Sequence, residues 1–351
     1  MFLRQVRHIY AVRCYSSAST ARIEYSNYGD PRHVLELKSD PVPVTESSAK
    51  QLQIRFMASP INPADINTIQ GVYPIKPPLP AIGGNEGVAE VVKTFEGSAF
   101  RKGDWVVPNG AGFGTWRTHA ICSEEDVFAI PSDIPLISAA TMSVNPCTAY
   151  RMLHDFAKLA PGDVIIQNGA NSGVGQAVIQ IAADLGLRTV NIIRDRDNVD
   201  KLIAYLSSLG ATHVTTDKAF STNMKSWMEI LPKPKLAFNC VGGKAVLHLV
   251  KYLEKEGTIV TYGGMSRQPL ALPTGPLIFN DICARGFWMT RWTANNKSSP
   301  ERQVMWAYLA ELIKRGKLNE PKHNRVSIEN FKEAVDNAMS ESKKEKQILV
   351  M

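Results

Sequence analysis

The sequence predicts an α/β chain in which a doubly wound parallel sheet is joined to a second, mostly β domain. From about Cys147 onward, apolar segments alternate between periods of 2 and 3.6, as strands followed by helices require. Before that point, short β-branched runs are cut repeatedly by Gly and Pro. At 351 residues and 44% hydrophobic content, the chain has the length and apolar mass for about two domains.

The opening segment stands apart from both domains. Residues 1–22 carry Arg4, Arg7, Arg13 and Arg22 with Ser16, Ser17, Ser19 and Thr20, and no acid precedes Glu24. That is the composition of a mitochondrial transit peptide, and it predicts the matrix as destination. Without these four arginines the formal charge falls from +7 to +3. The densest basic cluster left, Lys343, Lys344 and Lys346, is interleaved with Glu341 and Glu345, so nothing resembles the basic stripe of a nucleic-acid binder. The most apolar run, residues 177–187, is broken by Gln180, Asp184 and Gly186, well short of the roughly 20 apolar residues of a membrane span. Cys14, Cys122, Cys147, Cys240 and Cys283 are widely spaced, without a C-x-x-C, which argues against a zinc cluster or a disulfide framework.

In chain order, residues 52–57, 87–93 and 104–107 read as strands of the first domain, with turns at Ser59-Pro60, Asn62-Pro63 and the proline-rich 74–80. Its loops are the expected carriers of chemistry. The second domain reads as strand 163–167, helix 175–185, strand 188–193 and helix 199–208, with further strands at 211–215, 235–239 and 258–261. Residues 300–315 form an amphipathic helix with Val304, Tyr308, Leu309 and Leu312 on one side. Residues 328–339 form another, and 347–351 a last strand that returns to the first domain.

The junction Gln167-Asn168-Gly169-Ala170-Asn171-Ser172-Gly173-Val174-Gly175 lies between a strand and a helix. There glycines permit a tight turn, and backbone N–H groups at a helix N-terminus can meet a pyrophosphate. It departs from G-x-G-x-x-G, so its position carries the inference of a Rossmann-type dinucleotide site. The next strand ends in Arg194-Asp195-Arg196, where an adenosine ribose belongs. Arginines there favour a 2′-phosphate and hence NADPH, provided that Asp195 is paired by a neighbouring arginine. Glycine turns at Val241-Gly242-Gly243 and Tyr262-Gly263-Gly264-Met265 follow later strands and would flank the nicotinamide half.

Asn62-Pro63-Ala64-Asp65, Ile69-Gln70-Gly71-Val72-Tyr73 and Gly83-Gly84-Asn85-Glu86-Gly87 resemble the medium-chain dehydrogenases/reductases, in the zinc-free, quinone oxidoreductase-like branch. Where zinc members carry a cysteine and a Gly-His-Glu signature, this chain has Asp65 and Gly84-Asn85-Glu86. With Gly114-Thr115-Trp116-Arg117-Thr118, Asn145-Pro146-Cys147-Thr148 and Gly286-Phe287-Trp288, the set resembles the mitochondrial trans-2-enoyl-CoA reductase family over residues 24–351. The resemblance implies a GroES-like catalytic domain over 23–146, completed by 291–351, around an NADPH-binding domain at 147–290. It implies NADPH-dependent reduction of the 2,3 double bond of enoyl-CoA or enoyl-acyl-carrier-protein thioesters, the last step of mitochondrial fatty-acid synthesis, by a homodimer without metal. It further implies that Tyr73 is catalytic. Asn145, Asn171, Ser172, Gly173, Val174, Arg194, Asp195, Arg196, Tyr262, Gly263, Gly264, Met265, Phe287, Trp288, Met289, Thr290 and Lys346 would contact the cofactor. Two other readings compete: a zinc-free NADPH quinone oxidoreductase, which would need a flat aromatic slot, and a non-catalytic NADPH-binding protein.

Overall fold

The computed structural model describes residues 19–43, 50–340 and 345–351. Most of the expected leader, residues 1–18, lies outside them. Residues 19–22, which the expected leader includes, form the first half of strand β1 (Ser19–Tyr25). There Ala21 is fully buried and its carbonyl accepts from Thr118 N at 2.8 Å.

The β-branched runs become β2 (Glu36–Pro41), β3 (Leu52–Pro60), β4 (Ala81–Ile82), β5 (Val88–Lys93), β6 (Trp105–Pro108), β7 (His119–Cys122) and β8 (Val127–Ile130). β1 pairs antiparallel with β2 and β4 in one small sheet. β3 is the spine of the larger sheet: Leu52, Ile54 and Phe56 point inward at period 2 and pack on Val91, Val106 and Ala120.

Alternating strands and helices then give a second sheet of six parallel strands: β9 (Val164–Asn168), β10 (Arg188–Ile193), β11 (His213–Thr216), β12 (Leu236–Asn239), β13 (Thr258–Thr261) and β14 (Cys283–Gly286). Their order is β11-β10-β9-β12-β13-β14, so the winding reverses between β9 and β12. Every residue of β9 is buried, as a central parallel strand covered on both faces demands. β14 was not legible in the sequence, since CARG has neither alternation nor β-branched residues.

The chain then returns. β15 (His323–Ser327) and β16 (Lys346–Val350) join the larger sheet of the first domain, β16 antiparallel to β3 with Leu349 opposite Ser59. The helix Pro300–Lys314, capped by Ser299, buries Arg302, Met305, Trp306, Leu309 and Leu312. The expected face was misdrawn by about a quarter turn: Val304 is 60% exposed, because the helix packs between the domains on Trp306 and Met305. One apolar cluster runs from Ala58, Val88 and Val107 through Met142, Met152 and Met305 to Ile165 and Phe238, joining the two domains. Among the described residues no helix is long and apolar enough to cross a membrane.

Candidate active site and cofactor cleft

The reversal of strand order opens a crevice at the carboxyl ends of β9 and β12, where ligands of open α/β sheets bind. The expected cofactor residues lie at successive strand ends. Arg194, Asp195 and Arg196 follow β10; Asn171, Ser172, Gly173 and Val174 follow β9; Tyr262, Gly263, Gly264 and Met265 follow β13; Phe287, Trp288, Met289 and Thr290 follow β14.

The junction after β9 is built for close backbone approach. Ser172 caps the helix Gly173–Asp184 by accepting from Gly175 N at 3.1 Å, leaving the first N–H groups of the helix turned toward the loop. Gly169 sits at φ +58 with Cys240 Sγ packed where a side chain would go. A Cβ on Gly175 would lie 2.6 Å from the carbonyl oxygen of Ala170, so only glycine lets the helix seat on the strand. Beneath the turn, Asn168 Nδ2 donates to Asn239 Oδ1 at 2.8 Å and Cys240 N donates to Asn168 Oδ1 at 2.9 Å, tying the ends of β9 and β12 together. The Tyr262 hydroxyl is buried beside Cys240 and Ser172. Burial pushes its phenol well above the ordinary value. The glycine cradle, the helix N-terminus and the two exposed arginines after β10 therefore fit a phosphorylated dinucleotide.

Asp195 departs from expectation. Among the described residues its carboxylate pairs with no arginine; Lys218, just beyond β11, reaches it at 2.6 Å. Arg194 and Arg196 are exposed, and Arg196 Nε donates to Arg194 O at 3.4 Å.

Tyr73 is delivered from the opposite wall. The helix Pro63–Ile69 stops at Gln70, Gly71 turns the chain at φ +75, and Tyr73 N donates to Asn67 O at 3.1 Å. Across the cleft, Trp288 Nε1 donates to the Tyr73 hydroxyl oxygen at 2.8 Å, with the rings edge to face at 6.0 Å. The indole occupies a lone pair of the phenol and leaves the phenolic proton free to be given elsewhere. Trp288 is held by its neighbours: Phe287 packs edge to face on Phe156, and Trp292, one helical turn on, lies under the Arg151 guanidinium at 4.6 Å.

Asp65 and Asn85, at the positions where zinc relatives hold metal ligands, bond to each other. Asp65 Oδ1 accepts from Asn85 N at 2.9 Å and Nδ2 at 2.8 Å, while Oδ2 accepts from Asn62 N at 2.8 Å. Burial pushes the Asp65 carboxyl up to about 6 against those three hydrogen bonds. Its oxygens are committed to holding the two loops, so it is not the proton donor. Lys346 donates to Asn62 Oδ1 at 2.5 Å, Asn62 Nδ2 donates to Glu86 Oε2 at 2.7 Å, and Glu86 Oε1 accepts from Val144 N at 2.8 Å. Burial raises the Glu86 carboxyl, with the charge of Lys346 opposing it. This buried chain ends at the residue before Asn145, whose amide lies against Gly173, so Lys346 and Asn145 belong to one structure beside the cofactor loop.

The Alcohol dehydrogenase GroES-like domain family matches residues 48–132, and the Zinc-binding dehydrogenase family matches residues 173–307. The mitochondrial enoyl-[acyl-carrier-protein] reductase of Homo sapiens is 48% identical over 341 residues, covering 96% of this chain and 91% of the relative. The protein of that name from Arabidopsis thaliana is 42% identical, covering 92% and 86%. Among solved structures, the Etr1p/NADP/crotonyl-CoA complex superposes with a TM-score of 0.88 at 35% identity, covering 95% of this chain and 100% of the other. The Candida tropicalis 2-enoyl thioester reductase heterodimer Etr1p/Etr2p superposes equally well at 0.88 and 35%. A quinone oxidoreductase of Pseudomonas syringae reaches 0.79 at 21% identity, a likeness that speaks to the fold alone.

Proposed function

We propose, for a chain that belongs to the mitochondrial enoyl-[acyl-carrier-protein] reductases, a mechanism in which Tyr73 serves the Cα side of the double bond at the mouth of the cofactor cleft. The enzyme reduces trans-2-enoyl thioesters to acyl thioesters with NADPH. The observation that supports the residue assignment is the 2.8 Å contact between the Tyr73 hydroxyl and Trp288, just beyond β14.

Bound NADPH supplies the hydride that adds to Cβ. Negative charge then grows on the thioester oxygen as an enolate, and a proton must reach Cα. Tyr73 holds that proton on its hydroxyl, oriented by the indole of Trp288, and either donates a hydrogen bond to the enolate or releases the proton to Cα. The first N–H groups after Ser172, with Asn145 beside them, would hold the pyrophosphate. Arg194 and Arg196 would receive the adenosine 2′-phosphate. Tyr262, Gly263, Gly264 and Met265, with Phe287, Met289, Thr290 and Lys346, would border the nicotinamide half.

The likeness to the Etr1p/Etr2p heterodimer and the bare outer edge of β14 support a homodimer. The relatives' mitochondrial names and the basic, acid-free leader support import to the matrix. The relatives' names print enoyl-acyl-carrier protein and crotonyl-CoA, which supports an enoyl thioester of either carrier as substrate.

The test couples substrate and residue. NADPH oxidation is followed with crotonyl and longer enoyl thioesters and with quinones as controls, in the unmodified enzyme and in Tyr73→Phe. Saturated acyl product should appear in step with NADPH consumed, and the Phe variant should lose about 10²- to 10⁴-fold in turnover, the range for a positioned acid. A Phe variant that keeps most of its turnover would move the proton source elsewhere.

A further inference from the structure

Strand register, not sequence proximity, puts Lys218 at the ribose end of the cleft. β10 and β11 run parallel with Ile193 beside Thr216, so the residues that follow them, Arg194-Asp195-Arg196 and Asp217-Lys218, emerge side by side. Asp217 fixes the arrangement: its N–H donates to Ile193 O at 2.9 Å, and its Oδ1 accepts from Asp195 N and Lys218 N, both at 3.0 Å. Lys218 Nζ then closes on Asp195 Oδ2 at 2.6 Å. Lys218 is 79% exposed at its side chain, and such a pair adds little to stability. Its consequence is electrostatic and local. An unpaired acid at this strand end would accept from both ribose hydroxyls and repel a 2′-phosphate, the arrangement that selects NADH.

We infer that Lys218 is a specificity-determining residue for the cofactor: by pairing Asp195 it cancels the carboxylate that would turn away the 2′-phosphate. The inference rests on the reading that Arg194 and Arg196 receive that phosphate. Lys218 acts through Asp195, as a positioning and neutralising group, and lets the two arginines dominate the pocket.

The test measures NADPH and NADH dissociation constants by nucleotide fluorescence on the full chain, for Lys218→Ala, Asp195→Asn, the double variant and Arg194→Ala/Arg196→Ala. Lys218→Ala should weaken NADPH by about fivefold or more, from an uncompensated charge a few ångströms from the phosphate, and leave NADH within about twofold or tighter. Asp195→Asn should keep the NADPH preference, and adding Lys218→Ala to it should change NADPH affinity by less than about twofold, because the charge to be cancelled is gone. Equal weakening of both nucleotides in Lys218→Ala overturns the inference, as does an undiminished loss in the Asp195→Asn background. The arginine variant separates the two claims. If it keeps the NADPH preference, the underlying reading fails; if it loses the preference while Lys218→Ala is silent, only the inference fails. Matching thermal melts identify variants that remain folded.

Discussion

Tyr73 shows what a single residue owes to distant chain. Its motif was legible, but the indole that orients it lies 215 residues away, at the end of a strand with no strand-like sequence. Asp65 was legible only as the residue standing where a metal ligand is usual; its three hydrogen bonds required the fold. Asp65→Ala should lower stability by about 3 kcal/mol in denaturant titrations, because buried backbone donors of Asn62 and Asn85 lose their acceptor. The pH dependence has a defined sign. With the carboxyl raised from 3.8 to about 6, the native state binds the proton more tightly than the unfolded chain. This group's contribution is complete below about pH 4 and lost as pH rises through about 6. Asp65→Asn should therefore flatten the fall in stability between about pH 4 and pH 6 relative to the unmodified protein, and an unchanged slope would show that Asp65 titrates normally.

Elements were legible where local pattern and tertiary role agree. The junction Asn171 to Gly175 was readable because a strand, a glycine turn and a helix start are all local signals. Gly175→Ala tests its geometry: with the Ala170 carbonyl 2.6 Å from the new Cβ, the helix Gly173–Asp184 must lift, and NADPH affinity should fall by about tenfold or more along with the melting temperature. Basic composition and strand pairing overlap at residues 19–22. Arg22 ends the acid-free segment, yet it is already inside β1, paired with Lys38 across the ladder and ion-paired with Glu24 and Asp40. A chain starting at Ser19 should therefore melt at a higher temperature than one starting at Ile23, which lacks the buried Ala21 and its hydrogen bonds to Thr118. Equal melting temperatures would support the leader boundary at residue 22. The same limit hid Lys218: nothing local marks it, and it becomes visible only when β10 and β11 are known to be neighbours.

At the scale of the molecule, a parallel sheet is ordinarily covered on both faces and its edges are blunted or paired. This sheet ends in β14, of which all four residues are exposed. Next to it the helix Thr274–Phe279 presents Ile278 at 65% and Phe279 at 78% exposure. An unpaired edge beside large exposed apolar side chains invites association, and a two-fold axis would let β14 of one copy pair with β14 of another. Ile278→Glu with Phe279→Glu should convert a dimer to a monomer in sedimentation equilibrium, because each charge would be buried without a partner at the contact. Ile278 and Phe279 are not among the residues assigned to the cofactor cleft, so NADPH binding gives a control for folding. A double variant that stays dimeric would place the interface on another face, and a chain that is monomeric before substitution would remove the homodimer altogether.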